Sequence, residues 1–412
     1  MRIINSFIHS KFLRHLSKEN SFSFLNAVQF LDAINENLLK LILAFYLIAL
    51  EGPEHTSFIS AAIGAIFILP FVLFSSIGGV FADRWSKTTV IRATRVIQIL
   101  VVSLAWLSMA FEEIILVYIF LFLFASLSAI FGPSKYGIIP DLVPKRILKA
   151  NSIIAAFTFF AIIFGNSLAS ILDLMMHGFF ATMMSACVVI AIIGTILSYL
   201  IVYIPPANPQ KKWSLFVYSE IYISLVQMYK TKHFLVATFA FAYFLFIGGF
   251  IQMNIIPYSV HTLNMGPVAG GYLFIASAIG VGCGALLASK MSGSLKILPN
   301  AGIGMSIFCI LFLFHEPFWL TTIWLFGLGL SGGLFLVPSQ TFILSKSTPK
   351  DRGRNFATAN FFSFAFAFLA SGAVYFLNNF LKLTPSLSFA AMGVFNLLVS
   401  SALFFFTRNG NK

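Results

Sequence analysis

The sequence predicts an all-α membrane protein whose twelve spanning helices form two six-helix halves. Three observations predict it: an extreme apolar composition, a one-sided placement of the basic residues, and an internal repeat. Of 412 residues, 59% are hydrophobic and only 9% are charged. A globular domain carries about 25% charged residues, so this chain cannot cover a water-exposed surface and a soluble domain is excluded. A helix crosses the hydrocarbon core in about 20 apolar residues. Stretches of that kind recur at 22–49, 57–82, 90–111, 114–132, 150–172, 178–204, 234–256, 268–289, 297–314, 318–344, 356–379 and 386–406, separated by short polar breaks.

The formal charge of +13 raises nucleic-acid binding as a function class, and the distribution of the 26 Lys and Arg residues argues against it. They fall on the two termini and the even-numbered connections. These hold Arg2, Lys11, Arg14 and Lys18; Arg84, Lys87, Arg92 and Arg95; Lys135, Lys145, Arg146 and Lys149; Lys211, Lys212, Lys230 and Lys232; Lys290 and Lys296; Lys346, Lys350, Arg352 and Arg354; then Arg408 and Lys412. The exceptions are Lys382, on an opposite connection, and Lys40, inside the first span. Positive charge marks the cytoplasmic side. The basic residues therefore predict an even number of spans with both termini in the cytoplasm, as in a multi-pass protein of a bacterial inner membrane.

Residues 1–21 lack the uninterrupted apolar core and cleavage site of a secretory signal, so the first span is expected to be retained. Ile4, Phe7, Ile8, Phe12 and Leu16 have the spacing of a short interfacial helix. Cys187, Cys283 and Cys309 sit in three different spans without metal-ligand spacing, and no cofactor or metal is expected. His9, His15 and His233 fall at the cytoplasmic side and His55, His177, His261 and His315 at external ends, which leaves none as a mid-membrane proton relay.

A 205-residue shift superimposes Pro133-Ser134 on Pro338-Ser339, Pro144-Lys145 on Pro349-Lys350, and Gly79 on Gly284 without a gap. The longest soluble stretch, with Pro205, Pro206, Pro209, Lys211 and Lys212, lies between the copies. The expected organisation is a first half at 1–204, a cytoplasmic linker at 205–233 and a second half at 234–412. Membrane proteins built from such repeats place a substrate near the bilayer midplane between the halves and rock them to alternate access.

The connection after the second span reads Gly79-Val-Phe-Ala-Asp83-Arg84-Trp-Ser-Lys87. It resembles the major-facilitator signature: a Gly, three residues, Asp-Arg, one residue, a small residue and a basic one. Gly79 lets two helices approach. Asp83 can pair with basic groups at neighbouring cytoplasmic helix ends and latch that side shut. Arg84, Lys87, Lys135 and Arg146 complete the expected gating set. A static cluster that only fixes topology is the alternative. In the second half the acid is replaced by Ala288.

The chemistry is expected in the first span. Asp32 and Glu36 lie about midway through it, where a charge costs on the order of 2.5–3.5 kcal/mol by insertion scales and normally faces a cavity. At 100° per residue, Gln29, Asp32, Glu36 and Lys40 share one ridge, widened by Asn26, Asn35 and Asn37. Two readings compete. Glu36 and Lys40, spaced i,i+4, can simply neutralise one another so that the helix inserts. The ridge can also bind a zwitterionic amphiphile, its carboxylates receiving an ammonium and Lys40 a phosphate. The span from Phe234 to Ile256 offers Gln252 and Asn254, and the eleventh span offers Asn360 and Ser363. The 50 Phe residues are spread evenly and reflect composition more than a groove.

The first-span segment Gln29-Phe-Leu-Asp-Ala33-Ile-Asn-Glu36-Asn37 is similar to the Gln-Phe-Leu-x-Ala-x-x-Asp-Asn of the bacterial lysophospholipid transporters, with Glu36 in place of Asp. Pro133-Ser-Lys135-Tyr136-Gly137-Ile138 followed by Leu148-Lys149-Ala150-Asn151 resembles that family's Pro-x-Lys-Tyr-Gly-Ile and Lys-x-x-Asn pattern, and Val337-Pro338 with Asn360 resembles its second-half segment. The resemblance implies the major-facilitator fold and movement of lysophospholipid, above all lysophosphatidylethanolamine, from the outer to the inner leaflet for reacylation. The candidate substrate set is the first-span ridge of Gln29, Asp32, Asn35, Glu36, Asn37 and Lys40, together with Asn360 of the eleventh span. Members of that family carry a basic residue in the seventh span and an acid in the eleventh; this chain has neither, and Lys40 brings positive charge from the first span instead.

Two rival classes are weighed. An efflux transporter for drugs or other hydrophobic molecules would share the fold and the Asp83 signature. A membrane acyltransferase is suggested because relatives of the resembled family occur fused to one. Such enzymes resemble each other in a His-x-x-x-x-Asp pair, and no His here has an Asp five residues on. A functionally linked acyltransferase is therefore expected on a separate chain. The expected partners are the lysophospholipid and membrane lipid, with no nucleic acid.

Overall fold

The structure is a computed structural model that describes residues 17–52, 55–176, 178–211, 217–231, 233–291, 293–314 and 317–408. The expected interfacial helix at residues 4–16 lies outside the described residues, as do Lys212, Lys232, His177, His315 and Lys412. The described residues form helices joined by short turns. In chain order the long ones are α1 (Lys18–Glu51), α2 (Thr56–Arg84), α3 (Lys87–Ala110), α4 (Ile114–Gly137), α5 (Ile147–Met176), α6 (Phe180–Tyr199), α7 (Val217–Lys230), α8 (Phe234–His261), α9 (Pro267–Ala288), α10 (Leu298–Leu311), α11 (Phe318–Lys346), α12 (Arg352–Tyr375) and α13 (Pro385–Arg408), with a single turn at Ile139–Leu142 and a π-helical turn at Phe376–Phe380.

Local chemistry sets the ends. Ser17 accepts the N–H of Asn20 at 3.1 Å and starts α1. Gly52, at φ 97°, stops it in a conformation that side chains resist. Ser86 caps α3 in the same way as Ser17 caps α1. Among the described residues, eleven helices are long and apolar enough to cross a membrane. The ninth expected span, 297–314, is shorter than the others: its apolar helix runs Leu295–Leu311 and opens with a 3₁₀ turn capped by Ser294. The stretch expected as a plain linker holds the helix α7. Its Ile221, Ser224 and Met228 are buried at helical spacing, while Tyr222, Val226 and Tyr229 are exposed.

The chain divides into two compact units. The first comprises residues 1–150, 164–218 and 348–357, and the second 151–163, 219–347 and 358–412. In the first, α2 lies on α4 and α1 on α6. A Cβ at Gly78 would come within 2.9 Å of the Ala129 carbonyl, so α2 and α4 touch through their backbones.

In the second unit, α9 and α11 meet along glycines. Gly280 and Gly284 face the backbone of Phe326 and Leu330, and Gly329 and Gly333 face that of Ser277 and Val281. Both helices thus carry a Gly-x-x-x-Gly ridge, and a side chain at any of the four would strike the partner backbone. Elsewhere in this unit Asn396 donates to the Gly302 carbonyl at 2.8 Å and joins α13 to α10. Phe312 stacks on Phe389 at 4.3 Å.

Candidate substrate site

The expected ridge forms on α1, within the first unit. Asp32 is buried there against Arg95 of α3, whose Nη1 donates to Asp32 Oδ1, and Gln98 Nε2 donates to the same oxygen at 3.1 Å. Arg95 is only 2% exposed, and its guanidinium lies over the Phe131 ring at 4.1 Å. This corrects one expectation and gives Asp32 a partner that the sequence did not show. Arg95 is an interior residue of α3 and no mark of the cytoplasmic connection, and Asp32 has a partner of opposite charge. The pair is sealed from water, and Arg95 Nε and Nη2 are buried without hydrogen-bond partners, so the attraction is set against a large cost of burying both ions.

Glu36 and Lys40 behave differently. They approach to 3.7 Å as an i,i+4 pair, with side chains 23% and 26% exposed. Lys40 Nζ also sits 4.2 Å from the Phe67 ring centroid. Their charges are balanced but still reachable. Lys135, expected among the gating residues, comes to the ridge instead: its Nζ donates to Gln29 Oε1 at 3.1 Å and lies 5.4 Å from the Phe131 ring. Three cations and two carboxylates therefore surround this face of α1, leaving one positive charge in excess.

The other expected site residues scatter. Asn37 donates to the Ala33 carbonyl at 2.8 Å and its Cβ borders Gly165, so it is turned to α5. Asn35 is buried, with neither amide atom hydrogen-bonded. Asn360 is buried in the second unit.

At the other end of α2, Asp83 is fully buried and collects three donors. Its Oδ1 accepts the Gly353 N–H at 2.7 Å; its Oδ2 accepts the Arg354 N–H at 3.0 Å and Lys211 Nζ at 2.8 Å. The first two belong to the opening turn of α12, where a helix leaves its N–H groups unsatisfied and its dipole favours an anion. Glycines permit this approach, since a Cβ at Gly353 would lie 2.8 Å from the Gly79 carbonyl and one at Gly79 would lie 2.6 Å from Ala357 Cβ. Asp141 provides a second anchor, taking Arg352 Nη1 at 2.8 Å and Lys87 Nζ at 3.2 Å. Arg146 instead forms an exposed pair with Glu19 at 3.6 Å. Arg84 is half-buried.

The segment after α6 is stitched to the same end. Ser86 Oγ donates to the Ile204 carbonyl at 2.6 Å, Thr88 Oγ1 to that of Val202 at 2.9 Å, and the Asn208 N–H to that of Asp83 at 2.9 Å. These contacts carry Lys211 to Asp83.

Sequence reasoning missed Arg95, Gln98, Asp141, Arg352 and Lys211 as partners. Arg95 and Gln98 did carry a signal, because both fall inside the third expected span at i,i+3.

No curated protein sequence matches this chain. Among solved structures, the E. coli fucose:proton symporter is similar at a TM-score of 0.75 and 16% identity, covering 96% of this chain and 100% of that one. A proton:xylose symporter bound to 6-bromo-6-deoxy-D-glucose is similar at 0.68 and 14%, covering 94% of this chain and 96% of its own. A bacterial homologue of the iron transporter ferroportin, in its outward-facing state, follows at 0.68 and 12%, covering 93% and 98%. At these identities the likeness shows the fold. The model of the Major Facilitator Superfamily matches residues 25–371, which takes in both the α1 ridge and the Asp83 anchor, and the chain belongs to that superfamily.

Proposed function

We propose that this transporter moves lysophospholipids, with lysophosphatidylethanolamine the leading substrate, from the outer to the inner leaflet of a bacterial inner membrane by alternating access. Both termini would lie in the cytoplasm, and a separate acyltransferase would consume the delivered lipid. The observation that carries this reading is the division of labour on α1. Asp32 is already satisfied by Arg95 and Gln98, whereas Glu36 and Lys40 keep about a quarter of their surface open. An ammonium can exchange for Lys40 at Glu36, and a phosphate can exchange for Glu36 at Lys40, with Lys135 beside Gln29 adding the excess positive charge. A zwitterionic headgroup thereby replaces a zwitterionic pair, and the cost of separating Glu36 from Lys40 is returned by the substrate. The resemblance of the α1 and Pro133–Ile138 segments to lysophospholipid transporters supports the same reading. In it, Asp83, Gly79, Arg84 and Lys87 form the gate.

Reconstituted vesicles carrying labelled lysophosphatidylethanolamine in one leaflet test it. The expected result is faster inter-leaflet movement than in empty vesicles, with diacyl lipid moving little. No acceleration, together with drug-dependent protection of cells expressing the protein, would replace this reading with an efflux transporter of hydrophobic molecules.

A further inference from the structure

The second unit holds a cavity of about 600 Å³ that takes no part in the α1 chemistry. This lies within the roughly 300–1,000 Å³ of small-molecule sites, but its lining is almost pure hydrocarbon: aliphatic and aromatic side chains of α8, α11, α12 and α13. It runs lengthwise. On α8 the lining extends from Leu235 to Phe246 and on the antiparallel α13 from Phe406 back to Phe395. At 1.5 Å per residue each wall is ~16 Å long, about half of the roughly 30 Å hydrocarbon core, which is the depth of one leaflet. Leu369, Phe395 and Phe406 are exposed, so the cavity opens on the outer apolar surface.

A second hollow continues it beyond the α8 start. Leu235 and Phe239 line both, and Tyr222, Leu225, Val226 and Tyr229 of α7 complete the second. The exposed apolar face of α7 therefore extends this track, and Lys230 ends the helix beside it, exposed. Tyrosines and lysines of this kind gather where hydrocarbon meets headgroups.

We infer that this track is a binding site for a bilayer glycerophospholipid, one acyl chain lying along α8 and α13 and the phosphate meeting Lys230 and the tyrosine rim of α7. The leaflet is the one that the basic residues mark as cytoplasmic. The inference is independent of what the transporter carries. It assigns α7 a role as the lipid-held part of the linker.

The test uses the full chain in vesicles doped with phosphatidylethanolamine bearing a diazirine along one acyl chain, with adducts located by peptide mass spectrometry after illumination. Adducts are expected to concentrate on 235–246 and 395–406 relative to the outer face of α6, and excess lysophosphatidylethanolamine should leave them unchanged. Ala240→Trp and, separately, Ala402→Phe fill the track and should deplete these adducts several-fold while leaving those on α6. Even labelling of all outer faces in the unmodified protein would overturn the site without recourse to any variant. Displacement by lysolipid would overturn the bilayer-lipid occupant and make the track part of the substrate path.

Discussion

In the first unit, Asp32, Glu36, Lys40, Arg95 and Lys135 place five charges along or beside α1, and Asp83 and Asp141 place two more at the opening turn of α12. In the second, the stretch from Phe234 to Phe314 has no Asp or Glu at all. Its helices are drawn together by the Gly280–Gly284 and Gly329–Gly333 ridges and by aromatic stacking. Hydrocarbon offers apolar side chains no incentive to associate, so helices in lipid need either polar partners or close backbone contact. One unit leans on the first solution and the other on the second. The polar solution is costly unless every charge is matched, which is why a unit that keeps it is the one to search for a substrate site.

The largest effect should come from splitting the sealed pair. Arg95→Met leaves Asp32 with Gln98 alone, and removing one partner of a buried ion pair costs about 3–5 kcal/mol. The folded yield and the melting temperature in detergent should fall sharply. The double variant Asp32→Asn/Arg95→Met should recover most of the loss. Recovery of stability without transport would also give the pair a role beyond insertion. A single Arg95→Met protein as stable as the parent would contradict the first half of the comparison.

Next in size is the glycine ridge. Gly284→Leu pushes a side chain into the Leu330 backbone, and overpacking of this kind costs about 1–3 kcal/mol. Gly271→Leu, on the same helix but with open space around it, should be near neutral. Equal melting temperatures for the two variants would show that backbone contact does not hold the second unit together.

Asp83→Asn keeps one acceptor for an N–H of α12 but turns its NH2 toward the donors on the other side, and leaving a buried donor unsatisfied costs about 1–3 kcal/mol. It can no longer balance Lys211. Transport should fall several-fold and cysteine probes near this end should label faster. Unchanged labelling and transport would reduce the cluster to a topology marker.

The legible and illegible parts of this molecule differ for a physical reason. Spans are legible because lipid imposes length and apolarity on each helix separately, and the departure at Leu295–Leu311 lies at its far end, where the helix stops at Leu311. The ridge was legible because Gln29, Asp32, Glu36 and Lys40 are neighbours on one helix. Arg95 was misplaced because its partner is 63 residues away, and only packing of α1 against the rest of the unit brings the two together. The donors that Asp83 receives from Gly353 and Arg354 are backbone groups, which no residue type advertises. Lys211 was legible as charge and illegible as a partner, because the Ser86, Thr88 and Asn208 hydrogen bonds that carry it to Asp83 depend on the folded path of the linker.

The smallest structural effect belongs to the change with the greatest consequence for the comparison. Glu36→Gln with Lys40→Met removes both members of a pair that is about three quarters buried, and replacing such a pair together by neutral side chains is often neutral or stabilising. Melting temperature and membrane level should therefore stay close to those of the parent, in contrast to Arg95→Met. If the pair exists only to let α1 insert, vesicle transport of lysophosphatidylethanolamine should also be unchanged, and the function of the charged unit would have to be sought elsewhere on it. If the pair is the place where a headgroup exchanges for an internal partner, transport should drop to the level of empty vesicles in a protein that is otherwise intact. The single variants sharpen the assignment. Glu36→Gln should weaken the ethanolamine lipid more than lysophosphatidylglycerol, which has no ammonium to place, whereas Lys40→Met should weaken both, because both carry a phosphate. A loss that ignores headgroup in the Glu36→Gln protein would separate Glu36 from ammonium recognition while leaving Lys40 as the anion partner.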